Sequence, residues 1–173
     1  MKEEGSREFE ALLLDAIQEG ADDARTIHAR DIVVAEWARW KCRYGCPNYG
    51  KTLTCPPFSP KPEETRSLLK DYEYALIIRY ASDKDYHSHL LALERRAFFS
   101  GYHAALAMTA GRCHLCDECN RQEGLCVHPE EARPSMEACG IDVFGTARKA
   151  GFKMSVKTDR DQDYSRFCLL LLR

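Results

Sequence analysis

Apolar positions near the start of the chain recur with a helical period. Phe9, Leu12, Leu13, Ala16 and Ile17 fall on one face and Gly20 follows, which predicts an amphipathic packing helix over 6–19. Between Thr26 and Trp40 the β-branched run Ile32-Val33-Val34 predicts a buried strand starting at Asp31 and running on towards Trp40. Residues 61–70 open with Pro62, carry Glu63 and Glu64 in the first turn and end on Lys70, the pattern of a short helix. Tyr72 to Tyr80, with Tyr74, Leu76, Ile77 and Ile78 inside, is the clearest strand. A broad apolar face formed by Leu90, Leu93, Ala97, Phe98, Gly101, Ala105 and Met108 predicts one long helix over 86–110. A short helical stretch from Ser135 to Gly140, a helix over 144–150, and closing strands at 152–156 and 167–172 around a turn at 158–163 complete the pattern. Strand, loop, helix, strand over 31–80 resembles a βαβ unit, so a parallel pair is expected. The expected class is α/β, with α+β as the alternative: a small central sheet, flanking helices and cysteine-rich loops.

Length adds that 173 residues make a single domain with a real core. A formal net charge of −2, with no basic block, gives no reason to expect nucleic acid or an anionic membrane as partner. The opening residues are charged with no apolar run behind them, so no secretory leader is expected, and no window has the length of a membrane span. Nine cysteines change the picture most. The count is odd and the spacing clustered, which favours metal ligands in a reducing, cytoplasmic compartment over a disulfide framework.

Two cysteine groups stand out. Cys113, Cys116 and Cys119 have C-x2-C-x2-C spacing, and Cys126 follows. Three thiols so close can all face one concave loop, as in ferredoxin-like loops that hold corners of an iron–sulfur cube. The local fourth cysteine departs from the bacterial ferredoxin run, so zinc, or thiols without metal, remain alternatives to [4Fe–4S]. The other group is Cys42, Cys46 and Cys55, spaced C-x3-C-x8-C among Gly45, Pro47, Gly50, Pro56 and Pro57. Its composition predicts a turning loop over 41–57 rather than a helix. C-x3-C also opens the radical-SAM motif, but the third cysteine is misplaced and the required barrel exceeds this chain. Cys168 lies in an apolar run and reads as core. His87, His89 and His103 read as surface or core-edge residues.

These residues resemble a prokaryotic family labelled "predicted metal-binding protein". The resemblance rests on Cys42-x3-Cys46 leading to Cys55-Pro-Pro, on Gly111-x-Cys113-x2-Cys116-x2-Cys119, and on Cys126-x-His128-Pro-Glu-x-Ala132-Arg133-Pro-Ser-Met-Glu-Ala-Cys139-Gly-Ile-Asp-Val. It spans nearly the whole chain and implies metal binding without a particular reaction. Counting ligands, Cys113, Cys116, Cys119 and Cys126 complete one site in a lobe over 111–142. Cys42, Cys46 and Cys55 lack a fourth ligand, for which Cys139 is the candidate. His128, Arg133 and Lys41 are candidates for donors or cations beside a cluster, where they would favour its reduced form. Closed clusters make an electron-transfer module with a redox partner protein. An open iron on three cysteines would instead act on a small molecule as a Lewis acid, in lyase or desulfidase chemistry. A zinc-held scaffold is the third alternative. No dinucleotide or phosphate-loop fingerprint is present.

Overall fold

The structure, a computed structural model, describes residues 4–81, 85–156, 158–159 and 164–173. Its centre is a four-stranded sheet in the order β1-β2-β4-β3, formed by β1 (Asp23–His28), β2 (Tyr74–Ala81), β3 (Leu106–Met108) and β4 (Ser165–Leu172). Every neighbouring pair is antiparallel. Side chains alternate across a strand, so β2 and β4 each feed two cores. Leu76, Ile78, Tyr80, Cys168, Leu170 and Leu172 pack under helices α1 (Glu4–Gln18) and α4 (Tyr86–Phe99). Ala75, Ile77, Phe167, Leu169 and Leu171 pack on the opposite face with Leu69, Met136, Cys139, Ile141 and Ala147. That second layer comes from α3 (Pro62–Leu69), a 3-10 turn at Glu137–Cys139 and α5 (Val143–Lys149). The fold is therefore α+β, and the parallel βαβ unit is corrected. His28 stands opposite Tyr74, so the 29–73 connection returns to the sheet end that it left, and β2 must run against β1.

Three further expectations are revised. The strand expected from Asp31 towards Trp40 is a 3-10 turn (Ala29–Asp31), a single bridge from Val34 to Ile141, and then helix α2 (Glu36–Gly45). This helix already contains Cys42, so the first part of the expected 41–57 loop is helical. The long helix stops at Phe99. Gly101, at φ +105°, takes the left-handed position that ends a helix, and Tyr102 N–H donates back to Ala97 O at 3.1 Å. The chain then turns into β3, because Ala107 and Met108 pair with Leu170 and Leu169 in the buried part of β4. Residues 152–156 form no strand. Of the turn expected at 158–163, residues 160–163 lie outside the described residues. The 61–70 helix, the 72–80 and 167–172 strands and the 144–150 helix are all present within a few residues.

Candidate metal centre

The two cysteine groups meet on one side of the second layer. Cys42 lies in the last turn of α2 and Cys46 is the extended residue that follows its end, so both thiols stand at the C-terminal end of the helix. The last carbonyls of a helix carry partial negative charge, so this end favours a cation held by the two sulfurs. From Cys46 the chain enters tight turns: Gly50 N–H donates to Pro56 O at 2.8 Å, and Cys55 O accepts from Phe58 N–H at 3.0 Å and Ser59 N–H at 3.1 Å. The loop is anchored from behind. Arg39 Nη1 lies 2.8 Å from both Ser59 Oγ and Ala138 O, and Ser59 Oγ donates to Ala138 O at 2.7 Å. These bonds fix the loop against the Glu137–Cys139 turn.

The second group sits on an irregular excursion between Thr109 and Ser135. Its neck is stitched: Thr109 N–H donates to Pro134 O at 2.9 Å and Met136 N–H to Thr109 O at 3.0 Å. Two bonds then tie the excursion to the first loop. Leu53 N–H donates to Cys119 Sγ at 3.4 Å, and Arg121 Nη1 donates to Gly50 O at 2.7 Å. A backbone N–H directed at a ligand sulfur is the kind of contact that orients and tunes a metal thiolate.

The thiols also act on one another electrostatically. Burial, then Glu137, Cys46 and Cys55 push the Cys42 thiol up to about 11, against a smaller pull from Arg39. Cys55 is raised by burial and also by Cys46, Glu137 and Cys113, opposed by a hydrogen bond from Thr52. Cys116 is raised by burial and by Cys113, Cys119 and Cys126. Each of the seven thiols thus acts as a like charge on at least one other, and Cys113 acts on Cys55 across the two groups. Any ion bound here must displace thiol protons. Among the described residues no three His, Cys, Asp or Glu side chains already stand close enough to enclose one ion. The donors nevertheless fit a thiophilic metal in kind: clustered sulfurs, a backbone N–H aimed at one of them, and turn-rich chain around them.

The other candidates lie elsewhere. Cys139 is wholly buried in the core with Met136, Ile141 and Leu171, and burial pushes its thiol up to about 12; the charges acting on it are Arg39 and Glu137 rather than another thiol. Replacing Cys139 with Ala is expected to leave bound metal per chain unchanged, as metal analysis of the purified variant will show. Cys168 is core, as its apolar setting suggests. Arg133 is engaged by Glu94, with Nε 2.9 Å from Oε2. Lys41 lies over the Trp37 ring at 5.4 Å, beside Cys42 in sequence. His128 is exposed, and its carbonyl accepts from Ala132 N–H at 2.9 Å.

Glu137 is the residue that spacing did not single out. Its backbone carbonyl lies 4.0 Å from Cys42 Sγ, and its Oε1 accepts from Gly111 N–H at 2.8 Å. It therefore joins the two cysteine groups at their base, with its carboxyl raised by burial. The signal available was a lone acid between apolar Met136 and Ala138. A family model described as "Predicted metal-binding protein (DUF2284)" matches residues 25–172. The chain belongs to this family. No curated protein and no solved structure matched it. For this DUF2284 chain the match covers every cysteine and leaves out α1. Among the described residues, no helix of the DUF2284 fold is long and apolar enough to cross a membrane.

Proposed function

We propose that this protein holds a [4Fe–4S] cluster on Cys113, Cys116, Cys119 and Cys126 and works as an electron-transfer module. The observation that carries this reading is the placement of all four cysteines on one stitched excursion, with Leu53 N–H directed at Cys119 Sγ. Such a cluster, when bound, supplies one-electron transfer. The chain's own residues do the rest. The four sulfurs hold the iron. Leu53 N–H, donated to one of them, favours added negative charge. The neck bonds at Thr109 keep the lobe's ends together whichever charge it carries. Half-burial of the four thiols leaves a side from which an electron can enter.

A second reading has its own support. Cys42 and Cys46 line a cleft of about 1280 Å³, so an iron on Cys42, Cys46 and Cys55 would have a side open to a small molecule. In that case the three-cysteine group does Lewis-acid chemistry and the Cys113 group serves it. The test is protein purified without oxygen or chelators and analysed for iron and sulfide per chain. Brown material with broad absorbance near about 400 nm is expected, from sulfur-to-iron charge transfer. Colourless protein loaded with zinc would remove both iron readings and leave a zinc-held scaffold.

A further inference from the structure

The cleft beside Cys42 and Cys46 has a chemistry of its own. Its floor is the end of the sheet face carrying Arg79 and Phe167, which are register partners on β2 and β4. Its walls are apolar: Trp37, Ile141, Val143, Phe144, Phe152 and Met154. Among the described residues, the charged side chains lining it are Arg25, Lys41, Arg79, Lys153 and Arg166 against Glu137 alone. Five cations against one carboxylate is the reverse of the chain as a whole, whose formal net charge is −2. Positive charge gathered between low-dielectric walls focuses its field into the cleft and draws anions there.

The cations are not equivalent. Arg25 is already held by Asp23 at 2.9 Å and stacks on Phe152 at 3.9 Å. Arg166 donates to Tyr164 Oη at 2.8 Å. Arg79 differs: its Nε is shut off from solvent and finds no hydrogen-bond acceptor among the described residues. A shielded guanidinium donor without an acceptor is costly, and an arriving anion supplies the missing negative charge. A planar carboxylate matches the guanidinium fork, and the aromatic walls match an apolar body attached to it.

We propose that the cleft over Arg79 binds an organic carboxylate with an apolar body, seated with its charge on Arg79 and its body against the exposed rings of Trp37 and Phe144. The inference stands on the cleft's own charge and shape, whether or not metal sits on the cysteines. The site is large enough for a molecule well beyond a simple anion, and its mouth reaches Cys42 and Cys46, so a ligand seated here lies beside the three-cysteine group.

The full chain, with and without metal, is titrated with phenylacetate, its neutral amide phenylacetamide, and inorganic phosphate. Isothermal calorimetry is the primary readout and tryptophan fluorescence, from Trp37 and Trp40 together, the second. Phenylacetate is expected to bind saturably, with phosphate and phenylacetamide at least tenfold weaker. R79M should weaken phenylacetate at least tenfold while leaving the thermal transition and bound metal near their original values; R79K should recover part of the loss. Lys153, exposed on the wall, gives a second variant: K153M should weaken binding less, with the fold unaffected. Equal binding of the amide, equal binding of phosphate, or unchanged phenylacetate affinity in R79M and K153M alike would overturn the proposal. Phenylacetate binding by protein that takes up no metal would count against the metal readings and not against this one.

Discussion

Protein with Cys113 and Cys116 both changed to Ser, prepared without oxygen, is expected to bind less iron than the parent and to unfold at a lower temperature. The physical reason is linkage: an ion that binds only the folded chain adds its binding free energy to folding. A ligand present at about a thousand times its Kd adds about 4 kcal/mol. The apo protein has nothing equivalent in this region. Residues 111–134 contain no regular element, and Leu125 and Val127 beside Cys126 are 68% and 60% exposed, so little apolar burial would hold the excursion without metal. The neck bonds and the Arg121–Gly50 bond remain, so the sheet itself should still fold. The check is iron and sulfide per chain together with Tm, for the parent, the double variant, and a variant with Cys42 and Cys46 changed to Ser. Unchanged iron and unchanged Tm in the Cys113/Cys116 variant would end the proposal that this group holds metal.

Arg133→Met is expected to destabilise the protein by up to about 3 kcal/mol, the low end of the cost of leaving one partner of a buried ion pair alone, because this pair is only partly buried. Arg133 and Glu94 have side chains only 18% and 11% exposed. Glu94 Oε1 also accepts from Ala107 N–H at 3.2 Å, so the carboxylate joins α4, β3 and the end of the cysteine excursion. With Met at 133, that single N–H would face a buried charge. Changing Glu94 to Gln in the same chain should restore part of the loss, because the uncompensated charge is gone. Urea unfolding of the two single variants and the double variant measures the coupling. Arg133→Lys should recover only partly, since an ammonium cannot reproduce the guanidinium fork. If Arg133→Met instead shifted the visible spectrum of the metal-loaded protein and left the unfolding midpoint in place, Arg133 would act on the metal rather than on the fold.

How far the chain could be read depended on where burial enforced a pattern. β2 and β4 are buried on both faces, and their apolar runs were plain. β1 gave almost no signal. Asp-Ala-Arg-Thr-Ile-His is an edge strand with only Ile27 buried, held by register with β2 rather than by its own hydrophobicity. α2 misled in the opposite sense: Trp37, Trp40 and Tyr44 repeat at helical spacing, yet they are 47%, 64% and 69% exposed, and aromatic content beside a β-branched run favours a strand reading. β3 followed a helix-like stretch of alanines, and only pairing with β4 decides it. The cysteine groups were legible because thiols are scarce and their spacing carries chemistry. That the groups meet, through Leu53 on Cys119 and Arg121 on Gly50, was not legible, because those contacts depend on the chain path between α2 and α3. Glu137 was hidden for the same reason.

The stitched neck at Thr109 and Pro134 has a consequence for how this chain tolerates change. Because both ends of the excursion already lie side by side, closing it needs little entropy beyond what the neck bonds supply. Doubling the number of residues inside would cost only about 0.6 kcal/mol. Extra residues between Arg121 and Leu125, away from the thiols and on exposed chain, should therefore be absorbed locally. The excursion can be lengthened there as a self-contained insert, leaving the register of β3 on β4 as it is.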